Sequence, residues 1–264
     1  MEIKGSEAVV TGAAGGLGAA IARALHARGA RLFLTDRRKE DLESLASQLN
    51  GAEAFVCDLA DSGQVADLAA RLTSTDIVVA NAALPATGKL EDFTPEQLNR
   101  AVDVNLRVPM LMTKQLLPGM LQHGRGHFVY ISSIAGKLPS ARVPIYSATK
   151  AGLRGFCGSL RQDLHGSGVG ASVVFPGTMT DAGLLADAGL PSTPGTKGTS
   201  CDFVARRVIA AIEKNLGEVN AAELPIRIMA RFGGVAPELA ARLARRKDSI
   251  AWGDQVTEGL RHLR

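Results

Sequence analysis

With 264 residues, 46% of them hydrophobic, and 29 glycines, the chain suits one α/β unit with a large core rather than two small domains. Its net charge is only +4. Although the pI is near 9.1, the bases are spread over helix faces and concentrated at the C-terminus, which is weak ground for a nucleic-acid partner. Three cysteines (Cys57, Cys157, Cys201), odd in number and far apart, form no metal motif and point to free thiols in a reducing cytoplasm. No apolar run reaches transmembrane length, and the N-terminus enters the first strand without a signal sequence.

The pattern predicts strands near residues 7–11, 31–35, 53–57, 76–80, 126–131, 170–175 and 218–222, and helices near 16–28, 39–49, 62–72, 95–122, 145–166 and 201–215. The first strand breaks into Gly12-Ala13-Ala14-Gly15-Gly16-Leu17-Gly18, and the turn opens a helix with Leu17, Ile21, Ala24 and Leu25 at helical spacing. Glycines let backbone approach a ligand, and a helix start offers free N–H groups and a positive dipole end. Strand, turn and helix in that order form a phosphate cradle, spelled T-G-x-x-x-G-x-G.

The second strand ends at Asp36, eighteen residues after Gly18. A carboxylate there can bond both ribose hydroxyls of NAD and repels the 2′-phosphate of NADP. Arg37 and Arg38 follow at once, and a guanidinium can bind that phosphate or simply begin the next helix in water. NAD is the favoured cofactor, with NADP left open. Runs such as Ile77-Val78-Val79-Ala80 and Phe128-Val129-Tyr130-Ile131 are near-continuously apolar, as in parallel strands covered on both faces. Right-handed crossovers then give a doubly wound, Rossmann-type parallel sheet flanked by helices. Ligands bind such sheets beyond the carboxyl ends of the strands, where Gly12, Asp36, Asp58, Asn81, Ser133 and Pro176 all fall.

Tyr146 and Lys150 lie one helical turn apart, and Ser132-Ser133 precede them. A phenol has an unperturbed pKa of about 10, and a neighbouring ammonium lowers it. The pair can therefore move a proton to or from a substrate oxygen that a serine hydroxyl holds. Taken alone, this spacing is equally that of a half-buried Tyr beside a solvated Lys.

All these residues in register resemble the classical short-chain dehydrogenase/reductase family over nearly the whole chain. Thr11-Gly12, Gly16 and Gly18, with Ala14, Gly15 and Leu17 between them, match its cofactor turn. Asp58, followed by Leu59, matches the acidic residue that contacts adenine, and Asn81-Ala82-Ala83 the segment after the fourth strand. Asn105, Ser133, Tyr146 and Lys150 match the catalytic set. Pro176-Gly177, followed by Thr178, Met179 and Thr180, matches the turn beside the nicotinamide. The resemblance implies a hydride transfer between nicotinamide and a secondary alcohol or ketone, with Tyr146 as acid/base. Lys150 would bind the nicotinamide ribose, Ser133 the substrate oxygen, and Asn105 a water leading to Lys150. The thirteen-residue spacing to Tyr146 favours Ser133 over Ser132.

The chain departs from the family pattern at Ala80 and Ala83, which replace an Asn and a Gly, and at Asp181, where a Thr is usual. Thr178 or Thr180 can replace that Thr, and Asp181 can cap the next short helix. Residues 180–200 correspond to the substrate lid, with Ala182, Leu184, Leu185, Ala188 and Leu190 on its apolar side. Leu84, Pro85, Leu138, Pro139, Val143 and Pro144 lie near the same mouth. Together they imply a hydrophobic small-molecule substrate.

The dinucleotide-binding and catalytic unit covers residues 1–223. Residues 224–264 form a helical extension, which Gly233-Gly234 and Pro237 divide into two short helices. It carries Arg227, Arg231, Arg242, Arg245, Arg246 and Lys247 against Glu238. The extension either packs on the domain or a second subunit, or touches membrane as a basic amphipathic element. Helices 95–122 and 145–166, the latter with Ala151, Gly152, Gly155 and Gly158, suit a homodimer or homotetramer. Two other functions use the same residues: a lyase or epimerase with tightly held NAD, and a non-catalytic cofactor-binding regulator.

Overall fold

The strands alternate faces with a period of two, and each face meets its own core. In the computed structural model, which describes residues 1–138, 140–187, 189–190, 197–236, 238–239, 242 and 247–263, seven parallel strands are ordered β3-β2-β1-β4-β5-β6-β7. They are β1 (Glu7–Thr11), β2 (Arg31–Asp36), β3 (Glu53–Val56), β4 (Ile77–Ala80), β5 (Gly126–Ile131), β6 (Val169–Pro176) and β7 (Glu218–Ala221). The order reverses between β1 and β4, the switch point where a cleft opens in such sheets.

Helices α1 (Gly16–His26), α2 (Lys39–Gln48), α3 (Ser62–Arg71), α4 (Pro95–Val102), α5 (Val108–His123), α6 (Pro144–Asp163) and α8 (Cys201–Glu213) cover the sheet, and α7 (Leu184–Asp187) is a single turn. Val10, Leu34, Val79 and Val129 point to one face, where they meet Ile21 and Leu25 of α1 and Val204, Val208 and Ile212 of α8. Val9, Phe33, Val78 and Phe128 point to the other, against Leu68 of α3, Met112 and Leu116 of α5, and Leu153 and Cys157 of α6. This two-sided burial is the physical reason for the apolar runs in the sequence.

The single helix expected over 95–122 is instead α4, a π-turn at Asp103–Arg107, and α5. Pro109 lacks the N–H that would continue the ladder. Asn105, inside the widened turn, spends its side chain on loop backbone 21 residues away. A π-bulge commonly marks such an inserted contact.

The extension begins with α9 (Leu224–Val235), which runs through Gly233-Gly234 without a break, so the expected division does not fall there. Pro237 lies outside the described residues. Then comes α10 (Lys247–Gly259) and a short 3₁₀ turn at Arg261–Leu263. Ala230, Val256 and Leu260 are buried, so the extension packs apolar side chains inward. Leu224, Ile228 and Val235 remain exposed on α9. Among the described residues, no helix is long and apolar enough to cross a membrane.

Candidate active site

A cleft of about 420 Å³ lies at the carboxyl ends of the strands. It is lined by Gly12, Gly15, Gly16, Leu17 and Gly18 from the first turn, and by Asp36, Arg37, Asp58 and Leu59 after β2 and β3. Asn81, Ala82 and Ala83 follow β4, and Ser133, Tyr146, Lys150, Pro176, Gly177 and Met179 complete the set. Ala14, Asn105, Thr178 and Thr180 do not line it. Thr178 and Thr180 bond instead to Thr199, through Thr199 N to Thr178 O (2.9 Å) and Thr180 N to Thr199 O (3.2 Å). Met179, between them, reaches the wall.

The first turn is fixed by close approach. Gly12 has φ +63°, and a Cβ there would lie 2.8 Å from the Ala82 Cα; one on Gly18 would lie 2.1 Å from the Gly12 carbonyl oxygen. Asn81 ties the turn to β4: its Nδ2 donates to the carbonyls of Thr11 (3.0 Å) and Gly12 (3.1 Å). The Thr11 hydroxyl accepts from the backbone N–H of Asn81 and of Ala82. No side chain caps α1, whereas Asp61 caps α3 and Thr94 caps α4. The first N–H groups of α1 are thus offered to the cleft, where an anionic group is stabilised.

Asp36 is nearly buried, and the chain already uses both its oxygens. Oδ2 accepts from Ala14 N (3.1 Å), while Oδ1 accepts from Arg38 N (3.1 Å) and Arg38 Nε (3.4 Å). An ionised carboxylate has about four acceptor positions, so with three taken the remaining one, on Oδ2, is left for a ligand hydroxyl. The exposed Arg37 and Arg38 side chains line the same end. Asp58 accepts from Ala60 N (2.9 Å) and from Arg100 Nη2 (3.4 Å).

At the other end, Ser132 and Ser133 divide their tasks. Ser132 is buried and donates to the Lys150 carbonyl (2.8 Å), pinning β5 to α6. Ser133 caps the 3₁₀ turn Ile134–Gly136 by accepting from Ala135 N (3.2 Å). Its hydroxyl also faces the Tyr146 phenol. Lys150 is 2% exposed, and its ammonium donates to the Ile131 carbonyl (2.8 Å), 5.5 Å from the centre of the Tyr146 ring. Burial pulls the Lys150 amine down to about 7. Burial also pushes the Tyr146 phenol up, and the Ser133 hydroxyl opposes that in part. A lowered Tyr146 pKa, expected from its ammonium neighbour, is therefore not what the packed cleft produces. The desolvation of both groups outweighs their mutual effect.

Asn105 stands behind this wall, 1% exposed. Its Oδ1 accepts from Leu84 N (2.7 Å), and its Nδ2 donates to Leu84 O (3.0 Å) and Thr149 Oγ1 (3.4 Å). It thus joins the loop after β4 to the residue next to Lys150. Asp181 does cap a helix, but a distant one. Both its oxygens accept from Cys201 N (3.0 Å each), at the start of α8.

In the segment 180–200, expected as a lid, Ala182 sits so close to Gly16 that a Cβ on that glycine would overlap it. Leu185 and Leu190 are half-buried, and Leu190 packs on Gly259 of α10. Ala188 and Pro139 lie outside the described residues, as do Arg245 and Arg246. Leu84 and Pro85 line the cleft, while Leu138, Val143 and Pro144 do not. Sequence reasoning missed Gly183 and His262, which also line the cleft. No spacing connects His262, near the chain end, to any motif. Among the described residues, no group of three or more His, Cys, Asp or Glu could hold a metal ion.

Residues 6–188 match the family described as short chain dehydrogenase. The chain is 30% identical to Dehydrogenase/reductase SDR family member 7B of Bos taurus, over 91% of this chain and 81% of that one. It is 31% identical to Ketoacyl reductase HetN of Nostoc sp., over 92% of this chain and 89% of that one. Among solved structures, it resembles a metagenomic short-chain oxidoreductase in complex with NADP, with a TM-score of 0.70 and 32% identity, covering 83% of this chain and 98% of that one. The chain belongs to the short-chain dehydrogenase family and, with it, to the NAD(P)-dependent oxidoreductases.

Proposed function

We propose that this enzyme interconverts a secondary alcohol and a ketone, with Tyr146 as the acid/base. The observation that carries this reading is one cleft shared by two machineries: the uncapped glycine turn at one end, and Ser133, Tyr146 and Lys150 at the other. A dinucleotide fits the first end because a Cβ at Gly12 or Gly18 would already strike backbone. The pyrophosphate would rest on the N-terminus of α1, with Ala14, Gly15 and Leu17 as backbone neighbours. Asp36 would hold the adenosine ribose, and Asp58-Leu59 and Asn81–Ala83 would flank the adenine. Pro176, Gly177 and Met179, with Thr178 and Thr180 behind them, would border the nicotinamide. When bound, the nicotinamide supplies or accepts the hydride.

The chain's own residues do the rest. Ser133 holds the substrate oxygen. Tyr146 donates its phenolic proton to that oxygen in reduction and takes it back in oxidation. Lys150 orients the ribose and, once charged, steadies the phenolate. Asn105 positions α6 through Thr149 and the Leu84 loop, beside the path by which Lys150 exchanges protons. Asp36 favours NAD. Arg37 and Arg38 supply guanidinium groups suited to the 2′-phosphate of NADP, the cofactor of the metagenomic relative.

Apolar Leu84, Pro85 and Met179 on the wall support a hydrophobic substrate. The free, buried cysteines support a reducing, cytoplasmic setting. Half-exposed Met110 and Leu121 on α5 support assembly as a homodimer or homotetramer through α5 and α6. The test is a fluorescence titration of the purified protein with NADH and NADPH, followed by a panel of ketones with the preferred one. Binding of either cofactor with ketone-dependent oxidation supports the reading. Binding of neither overturns it.

A further inference from the structure

The C-terminal extension reaches the cleft from the catalytic side. Arg142, in the loop that leads into α6, forms an ion pair with Asp254 of α10. Arg142 holds a left-handed backbone, φ +67°, a conformation that costs a non-glycine residue energy and concentrates at functional sites. A Cβ on Gly253 would lie 3.1 Å from Arg142 Cγ and 3.4 Å from the Ala141 carbonyl oxygen. At its other end, α10 meets the lid: a Cβ on Gly259 would lie 2.9 Å from a Leu190 methyl. Val256 and Leu260 are buried beneath. The helix therefore spans from the approach to Tyr146 to the lid, and the turn that follows it puts His262 on the cleft wall.

Of the titratable groups on that wall, Asp36, Arg37, Arg38, Cys57 and Asp58 lie at the ends of β2 and β3, the adenosine end. Tyr146 and Lys150 are committed to proton transfer. His262 is left over, on a wall that also carries the apolar side chains of Leu84, Pro85 and Met179. A neutral imidazole always carries one N–H donor. A few placed polar groups on an otherwise apolar wall set orientation and selectivity.

We propose that His262 is a substrate-contacting, specificity-determining residue that selects ketones bearing a hydrogen-bond acceptor, an ester, thioester or carboxylate, beyond the reacting carbonyl. This rests on the alcohol/ketone reading above and names the substrate class within it.

The probe pair is ethyl acetoacetate and methyl pentyl ketone, in which methylenes replace the ester. Each is titrated against protein saturated with the oxidised cofactor. Trp252, the only tryptophan in the chain, sits on α10 and reports binding by its emission; KM for the reduction is the second readout. Wild type should bind the oxo ester roughly tenfold tighter, the worth of one hydrogen bond. His262→Ala should erase that preference by raising the Kd and KM of the oxo ester to those of methyl pentyl ketone. His262→Gln, which restores a donor, should recover it. Equal binding of the two probes by wild type, or a preference that survives His262→Ala, overturns the proposal. A wild type that binds neither dinucleotide fails earlier, and takes the alcohol/ketone reading down with it.

Discussion

At the glycine turn of the cleft the wall is largely backbone, whereas around Tyr146 it is side chain drawn from distant segments. Gly12, Gly18 and the start of α1 act through what they lack: a Cβ, a cap. Tyr146 and Lys150 depend on side-chain groups that packing aims and desolvates. A backbone site is set by strand, turn and helix alone and suits any dinucleotide. A side-chain site depends on packing, and its pKa values and selectivity follow from burial.

The sharpest way to separate the two ends is to remove one oxygen. Tyr146→Phe should lower turnover by about 10²–10⁴-fold, the usual worth of a general acid/base, with NADH and NADPH affinity retained. Loss of cofactor binding in this variant would mean that the ends are not independent. The reciprocal change is Gly18→Ala. Its methyl would press on the Gly12 carbonyl, so dinucleotide affinity should drop at least roughly tenfold, and overpacking should cost about 1–3 kcal/mol in a urea melt. Unchanged affinity would show that the turn tolerates a side chain and is not the phosphate cradle.

Within the adenosine end, Asp36→Ala tests charge against shape. Removing the carboxylate while Arg37 and Arg38 remain should move the NADH-to-NADPH affinity ratio by roughly tenfold towards NADPH. An unmoved ratio would give selectivity to the arginines alone. The smallest expected effect concerns stability. The folded Lys150 sits at about 7 against an ordinary lysine value of 10.5. Between those values the unfolded chain binds the extra proton, so stability rises with pH through that window. The cost is complete below it. Lys150→Met should abolish turnover yet raise Tm at pH 6 by roughly 2–4 °C, the equivalent of about 1 kcal/mol in a chain of this size. It should also flatten the pH dependence of Tm above neutrality. A fall in Tm would mean that the bond to the Ile131 carbonyl outweighs desolvation.

The same contrast explains what could be read from the sequence. Gly12, Asp36, Asn81 and Ser133 were legible because each sits at or just past the end of a strand, and apolar runs mark strands clearly. Tyr146 and Lys150 were legible because helical spacing is local. Asn105 was found by type but not by partner. Its contacts are to the backbone of Leu84 and the hydroxyl of Thr149, and nothing in the sequence encodes a long-range bond to a carbonyl. Asp181 was read as a cap, yet a carboxylate can satisfy any helix start within reach, and the fold brings α8 rather than α7 to it. The upward pressure on the Tyr146 pKa was hidden for a similar reason, since burial is a property of the packed state.

The carboxylate of Asp181 and the amide of Cys201 close a loop of twenty residues at its base, and the bridge between Met179 and Thr199 closes it a second time. Both clasps lie outside the sheet. The entropy of closing such a loop grows only with the logarithm of its length. Lengthening or shortening the chain between the two clasps therefore costs little closure entropy, and the sheet whose strand ends line the cleft stands apart from that change.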